Sequence, residues 1–208
     1  GEYNAMINNK DALLSRTNEK SCPKMSEKLL ECLQYNAPNY YVGIPCEGCN
    51  KSMYDGMIKL YKHEDKSSLL NAHLLINDNF NLTLDVLSKT LSNQNIVIIL
   101  SEEMTKNINK LSKFNILPNK IIAVSSKHAF NKDYDNIKDE VRKIPDYSVV
   151  ICLCEPLGRI ICHEWFKFNP TLTCLELGSF FDPILNNKSY LYHTNTLPPC
   201  SVCTNKLD

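Results

Sequence analysis

Short apolar runs recurring along the chain restrict it to few architectures. Tyr40-Tyr41-Val42-Gly43-Ile44, Ile96 to Leu100, Ile121 to Val124, Val149 to Cys154 and Leu172 to Leu177 are all rich in β-branched or aromatic residues. Continuous apolar runs of about 4–8 residues suit parallel strands buried on both faces. Between them lie Met25 to Leu33 (after Pro23), Leu84 to Leu91, Met104 to Phe114, Tyr134 to Ile144 and Leu157 to Phe168, with apolar residues at helical spacing. This alternation predicts an α/β fold: an open, mostly parallel sheet with helices on both faces and right-handed crossovers. No internal repeat or low-complexity linker divides the 208 residues, which read as a single domain, 1–208, with 185–208 as a C-terminal tail.

Charge narrows the function classes. The 23 Lys+Arg balance 23 Asp+Glu, which argues against nucleic acid or an anionic membrane as partner, since phosphate surfaces need a local Lys/Arg excess. A single diphosphate remains open, because a few backbone N–H groups and a metal can hold one. No apolar run approaches the ~18 residues of a membrane span. The chain opens on Gly1-Glu2-Tyr3 without initiator Met or signal peptide, so it reads as a piece of a longer reading frame. Ten cysteines without a secretion signal suggest a reducing, cytoplasmic setting with free thiols. Cys152, Cys154, Cys162 and Cys174 sit in apolar runs and read as small hydrophobes.

In an open α/β sheet, ligands bind beyond the carboxyl ends of the strands. The loop Glu155-Pro156-Leu157-Gly158-Arg159 leads from an apolar run into a helix. Pro156 and Gly158 near the helix start would present N–H groups to an anion, and Arg159 could reach it; the alternative is a tight turn with Arg159 solvated. Gly178-Ser179-Phe180-Phe181-Asp182-Pro183 comes after the last run. Asp182 reads as a catalytic carboxylate, a metal ligand or a turn former.

Two Cys-x-x-Cys pairs, Cys46/Cys49 and Cys200/Cys203, each follow a proline. They match the ligand count and knuckle spacing of an all-cysteine zinc site that would staple the tail to the first loop. Chance pairing among ten cysteines and a redox role are the alternatives. The five histidines show no paired ligand spacing, and His163, on an expected helix, reads as packing. No Gly-x-Gly-x-x-Gly, Walker A loop or Gly-x-Ser-x-Gly elbow occurs.

Gly1-Glu2-Tyr3-Asn4-Ala5-Met6, Tyr41-Val42-Gly43-Ile44-Pro45, Ile151 to Ile161 and Leu175-Glu176-Leu177-Gly178-Ser179 together resemble motifs of the GT-D type glycosyltransferases, a group first described as a domain of unknown function. The resemblance runs from residue 1 to about 185. It implies a Rossmann-like fold, a nucleotide-sugar donor (UDP-hexose foremost) and a divalent metal, Mn²⁺ or Mg²⁺, held by an Asp-x-Glu motif. Glu2 matches that motif's Glu and Gly1 its middle residue, so the sequence reads as truncated within the motif. Glu155 stands where the family has Gly, and Ser179 where it has His. Asn77 and Asn79 fall in a segment resembling one near the donor.

The resemblance thus implies a metal-dependent glycosyltransferase of glycan biosynthesis, moving a hexose to a hydroxyl of a glycan or protein acceptor. In it Glu2 binds the catalytic ion and Asp182 and Glu155 are the catalytic candidates. Gly43, Asn77, Asn79, Pro156, Gly158, Arg159, Gly178 and Ser179 line the substrate site, and a structural Zn²⁺ on the cysteine pairs stands beside them. The alternative is a non-catalytic, zinc-stapled α/β interaction module within a larger protein.

Overall fold

The computed structural model describes residues 23–75 and 79–187. The chain runs through α1 (Pro23–Gln34), β1 (Val42–Ile44), α2 (Lys51–Leu60), β2 (Leu69–Asn71), a 3₁₀ turn (Ala72–Leu75) and α3 (Asn79–Leu91). It continues through β3 (Ile96–Ser101), α4 (Glu102–Thr105), a 3₁₀ stretch (Ile108–Phe114), β4 (Lys120–Val124), α5 (Ala129–Val141), β5 (Val149–Leu153), α6 (Glu155–Phe168), β6 (Thr173–Glu176) and α7 (Asp182–Leu185). The strands form a four-stranded sheet of order β4-β3-β5-β6 and a separate β1-β2 pair. All pairings are parallel.

Alternation along the two central strands builds the core. Val97 and Ile99 of β3 and Val150 and Cys152 of β5 face α1, α5 and α6. Ile96, Ile98 and Leu100, with Val149, Ile151 and Leu153, face the opposite way, onto α3, the 3₁₀ stretch and the Phe180-Phe181 corner. A strand buried on both faces must be apolar at every position, which is why these two runs are continuous. The expected α/β sheet with helices on both faces is the one observed.

Helix α1 covers one face by burying Met25, Leu29, Cys32 and Leu33, an i, i+4, i+7, i+8 stripe. Lys28 pairs with Glu164 of α6, which also accepts from the Tyr134 hydroxyl of α5. Burial opposes the Glu164 charge, but the Lys28 and Tyr134 hydrogen bonds outweigh it and hold the carboxyl below its ordinary value. Beneath α6 the Cys152 thiol lies within hydrogen-bond reach of Cys154 and Cys162, and Cys162 of Cys174. They pack as small apolar groups, as their runs suggest. Gly158 lets the helix come this close: a Cβ there would lie 3.0 Å from the Cβ of Cys152 and 3.3 Å from Cγ of Glu176.

Two expectations change. The Met104 to Phe114 segment is a short helix and a 3₁₀ stretch, stopped by Asn115 in the left-handed region (φ 55°); its Met104, Ile108 and Leu111 still reach the core. The Tyr40 to Ile44 run does not join the main sheet. It pairs with β2, whose Leu69-Leu70-Asn71 carries too little apolar sequence to announce a strand.

His163 is buried between Tyr35 and Tyr40, with ring centroids 4.9 and 5.7 Å away, and its Nε2 has no hydrogen-bond partner. Burial, first, and the Lys167 charge push its pKa below the usual 6.5, against the pull of Glu31. Below that pH the unfolded chain takes up a proton that the folded chain refuses. Stability is therefore full above pH 6.5 and declines as pH falls toward the lower folded value. Urea unfolding should show wild type losing stability as pH falls below 6.5, and His163→Phe should flatten that slope; equal slopes would count against the assignment. Gly158→Ala should cost about 1–3 kcal/mol in the same assay, and a neutral result would mean α6 does not depend on this close approach.

Candidate functional site

The chain passes from β3 outward to β4, then returns across β3 to β5 and on to β6. The order therefore reverses between β3 and β5, and the crevice beyond their carboxyl ends is where an open α/β sheet takes its ligand. Leu100 pairs with Leu153, and Glu102 and Glu155 open the helices that follow β3 and β5 at this switch point.

Glu155 opens α6 with φ +51°. A side chain in the left-handed region is strained, and Gly takes that conformation freely, which is a physical reason for the Gly that the resembling family carries there. Pro156 and Gly158 are buried in the first turns of α6. Gly158 packs its Cα face against Cys152, Cys154 and Glu176. Pro156 lacks an N–H altogether, and Arg159 Nε lies 3.3 Å from Glu176 Oε2 at the end of β6. The other oxygen of Glu176 accepts from the Gly178 N–H at 2.9 Å, while Gly178 itself sits at φ +53°. One carboxylate thus ties Arg159 and Gly178 into a single unit. Glu176 was not among the residues expected from sequence, because an acidic residue ending a strand carries no signal of its own.

Ser179 and Asp182 continue from Gly178. The Ser179 carbonyl accepts from the Asp182 N–H at 3.0 Å, and Asp182, buried at the start of α7, accepts from Asn186 Nδ2 at 3.4 Å. The structure therefore brings Glu155, Pro156, Gly158, Arg159, Gly178, Ser179 and Asp182 to the same end of the sheet.

Gly43 and Asn79 lie in a second neighbourhood. A Cβ on Gly43 would sit 3.4 Å from that of Ala72, and Asn79, buried, donates to the His73 carbonyl at 3.1 Å. Beside them the ligand atoms of Cys46, Cys49 and His73 all lie within 4.8 Å of one another. Burial holds the His73 imidazole below its ordinary value, and so neutral. This is the group of three ligating side chains that converges among the described residues; the carboxylates of the strand ends form no such group and do not by themselves supply a hard-cation cage. Glu2, Asn77, Cys200 and Cys203 lie outside the described residues. His73 escaped the sequence reading because its partners come from another strand end, not from a neighbouring His.

Among solved structures similar to this chain, one of domain of unknown function 1792, described as having a distinct glycosyltransferase fold, superposes with a TM-score of 0.63. It covers 90% of this chain and 76% of its own, at 11% identity. A selenomethionine-substituted structure of domain of unknown function 1792 gives 0.64 with the same coverage and identity. A third, from Streptococcus sanguinis and described as a new glycosyltransferase of this domain, gives 0.58 at 12% identity over 84% and 73% of the two chains. No family model and no curated protein matches the sequence. At such identities the likeness is one of fold, and the fold is that of these glycosyltransferase structures.

Glu155→Gly and Glu155→Ala both delete the carboxylate and differ only in backbone preference. Left-handed strain of about 1–2 kcal/mol, less roughly 0.5–1 kcal/mol of glycine chain entropy, makes the Gly variant the more stable by up to ~1.5 kcal/mol. Denaturant midpoints in which Ala matches or exceeds Gly would remove the strain argument.

Proposed function

We propose that the protein is a glycosyltransferase that moves a hexose from a nucleotide-diphosphate sugar, UDP-hexose foremost, to a hydroxyl of a glycan or protein. The observation that supports this most is the topological switch point at the carboxyl ends of β3 and β5, within a fold shared with proteins described as glycosyltransferases. In this reading the donor's diphosphate lies over the start of α6, where the helix dipole and Arg159 favour negative charge. Glu176 holds the Arg159 side chain at the end of β6.

Gly178, Ser179 and Asp182 face the sugar and the acceptor. In an inverting transfer the acceptor oxygen bonds to the anomeric carbon as the bond from that carbon to the diphosphate oxygen breaks. The Asp182 carboxylate then takes the hydroxyl proton. Glu155, in the first turn of α6, stands beside the leaving diphosphate. A divalent ion, Mn²⁺ or Mg²⁺, would neutralise that leaving group. Glu2 is its proposed ligand on the strength of the motif resemblance alone.

A second reading, the non-catalytic zinc-stapled module, is favoured by the convergence of Cys46, Cys49 and His73. Thermal unfolding with a panel of nucleoside diphosphates and nucleotide sugars, with and without Mn²⁺, separates the two. A donor at about 100-fold its Kd should raise the midpoint by roughly 5–10 °C, and Arg159→Ala should abolish most of the shift. A folded protein whose midpoint responds to none of the panel would overturn the donor-site reading and favour the module.

A further inference from the structure

The segment from β1 to the 3₁₀ turn buries few apolar side chains, Ile44, Cys46 and Tyr61. The strands of the β1-β2 pair are three residues each, with Ile44 their one buried side chain. Helix α2 buries none of its side chains. Neither core cluster takes a residue from 42–71. A two-stranded pair of this size is marginal in water, and units that lack a core are stabilised by other cross-links, a structural metal among them.

At the carboxyl end of this pair three ligating side chains meet. β1 and β2 run parallel with Ile44 opposite Asn71. Cys46 lies two residues past β1 and His73 two residues past β2, in the 3₁₀ turn, so both stand just beyond the carboxyl end of the pair. Cys49 is turned back onto them by a tight loop: the Asn50 N–H donates to the Cys46 carbonyl at 3.0 Å, and Asn50 Oδ1 caps α2 by accepting from Met53 N at 3.1 Å. His73 is pinned on both sides of its backbone, its N–H donating to Asn71 Oδ1 at 2.9 Å and its carbonyl accepting from Asn79. Cys46 is buried, His73 half-buried and Cys49 exposed, so the group sits at the surface.

We infer that Cys46, Cys49 and His73 bind a zinc ion that clamps the β1-β2 segment, residues 42–75. Two soft thiolates and an imidazole are a zinc donor set, and a Cys-x-x-Cys knuckle is its usual local form. A tetrahedral ion with Zn–S near 2.3 Å and Zn–N near 2.0 Å sets its ligand atoms roughly 3.5–3.8 Å apart. Atoms already within 4.8 Å of each other reach that spacing by small rotamer changes. Three protein ligands leave one position of the tetrahedron for water or a further donor.

The test uses the full chain and the metal alone. Elemental analysis of the purified protein, dialysed against metal-free buffer, should find one zinc per chain. Co²⁺ added to the apoprotein should give a thiolate-to-cobalt charge-transfer band with tetrahedral d–d absorption. Cys46→Ser with Cys49→Ser should abolish the charge-transfer band. His73→Ala should retain it while weakening the ion at least about 10-fold, with the central sheet intact by circular dichroism because none of the three residues belongs to its core. Chelation should speed amide exchange in residues 42–75 and leave β3 and β5 protected. The inference is overturned if the wild type holds no zinc and no Co²⁺, or if exchange in 42–75 is indifferent to chelation. A charge-transfer band surviving in the double variant would place the metal on other thiols and overturn it equally. No nucleotide enters the experiment, so its failure leaves the glycosyltransferase reading standing.

Discussion

Parallel pairing of β3 with β5, each buried on both faces, is the interaction on which the rest of the protein depends. Five consecutive residues of β3, Ile96 to Leu100, and all of β5 are buried. Each such side chain contributes on the order of 1.5–3 kcal/mol by leaving water, and alternation sends these contributions to two separate cores. The elements that cover the sheet are then placed by the face they meet: α1, α5 and α6 on one, α3, the 3₁₀ stretch and the Phe180-Phe181 corner on the other. Because the crossovers alternate sides of β3, the same pair also sets the switch point where a ligand can enter.

Helix α6 converts this packing into a site. Gly158 allows the helix to press against Cys152 and Glu176, which brings its first turn over the strand ends. The rim is completed by two residues in the left-handed region, Glu155 and Gly178, and by Glu176, whose two oxygens hold Arg159 and the Gly178 amide. A side chain at position 158 would move the helix and the arginine together, so core packing and site geometry are one constraint. Strain at Glu155 fits the general finding that sparsely populated backbone conformations persist where surrounding structure over-determines them.

The β1-β2 segment is held differently. It lies outside both cores, buries little, and gathers instead two cysteines and a histidine at one end. The contrast divides the protein into a part whose order comes from apolar burial and a part whose order calls for a cross-link. No helix among the described residues is long and apolar enough to cross a membrane, which accords with helices of at most 14 residues that each keep a polar face.

Legible from the residues alone are the strands of the central sheet. The runs at Ile96 and Val149 announce β3 and β5 because double burial leaves no room for polar residues. The runs at Ile121 and Leu172 announce the more exposed edge strands β4 and β6, and Pro156 marks the start of α6 because its ring suits a first turn. Most of the strand-end residues, from Glu155 to Asp182, are equally legible, since they occupy the loops at the carboxyl ends of those runs. The remainder depends on the assembled fold. β2 is too short and too exposed to write a pattern, so the partner of β1 could not be read. Glu176 gains its role only when α6 delivers Arg159 to it, and the left-handed turn at Glu155 is imposed by packing against the residue's own preference. His73 meets Cys46 only because β1 and β2, distant in sequence, pair side by side. Periodicity records how a segment meets water locally, whereas contacts between strand ends depend on the order of pairing, which is settled by the packing of the whole chain.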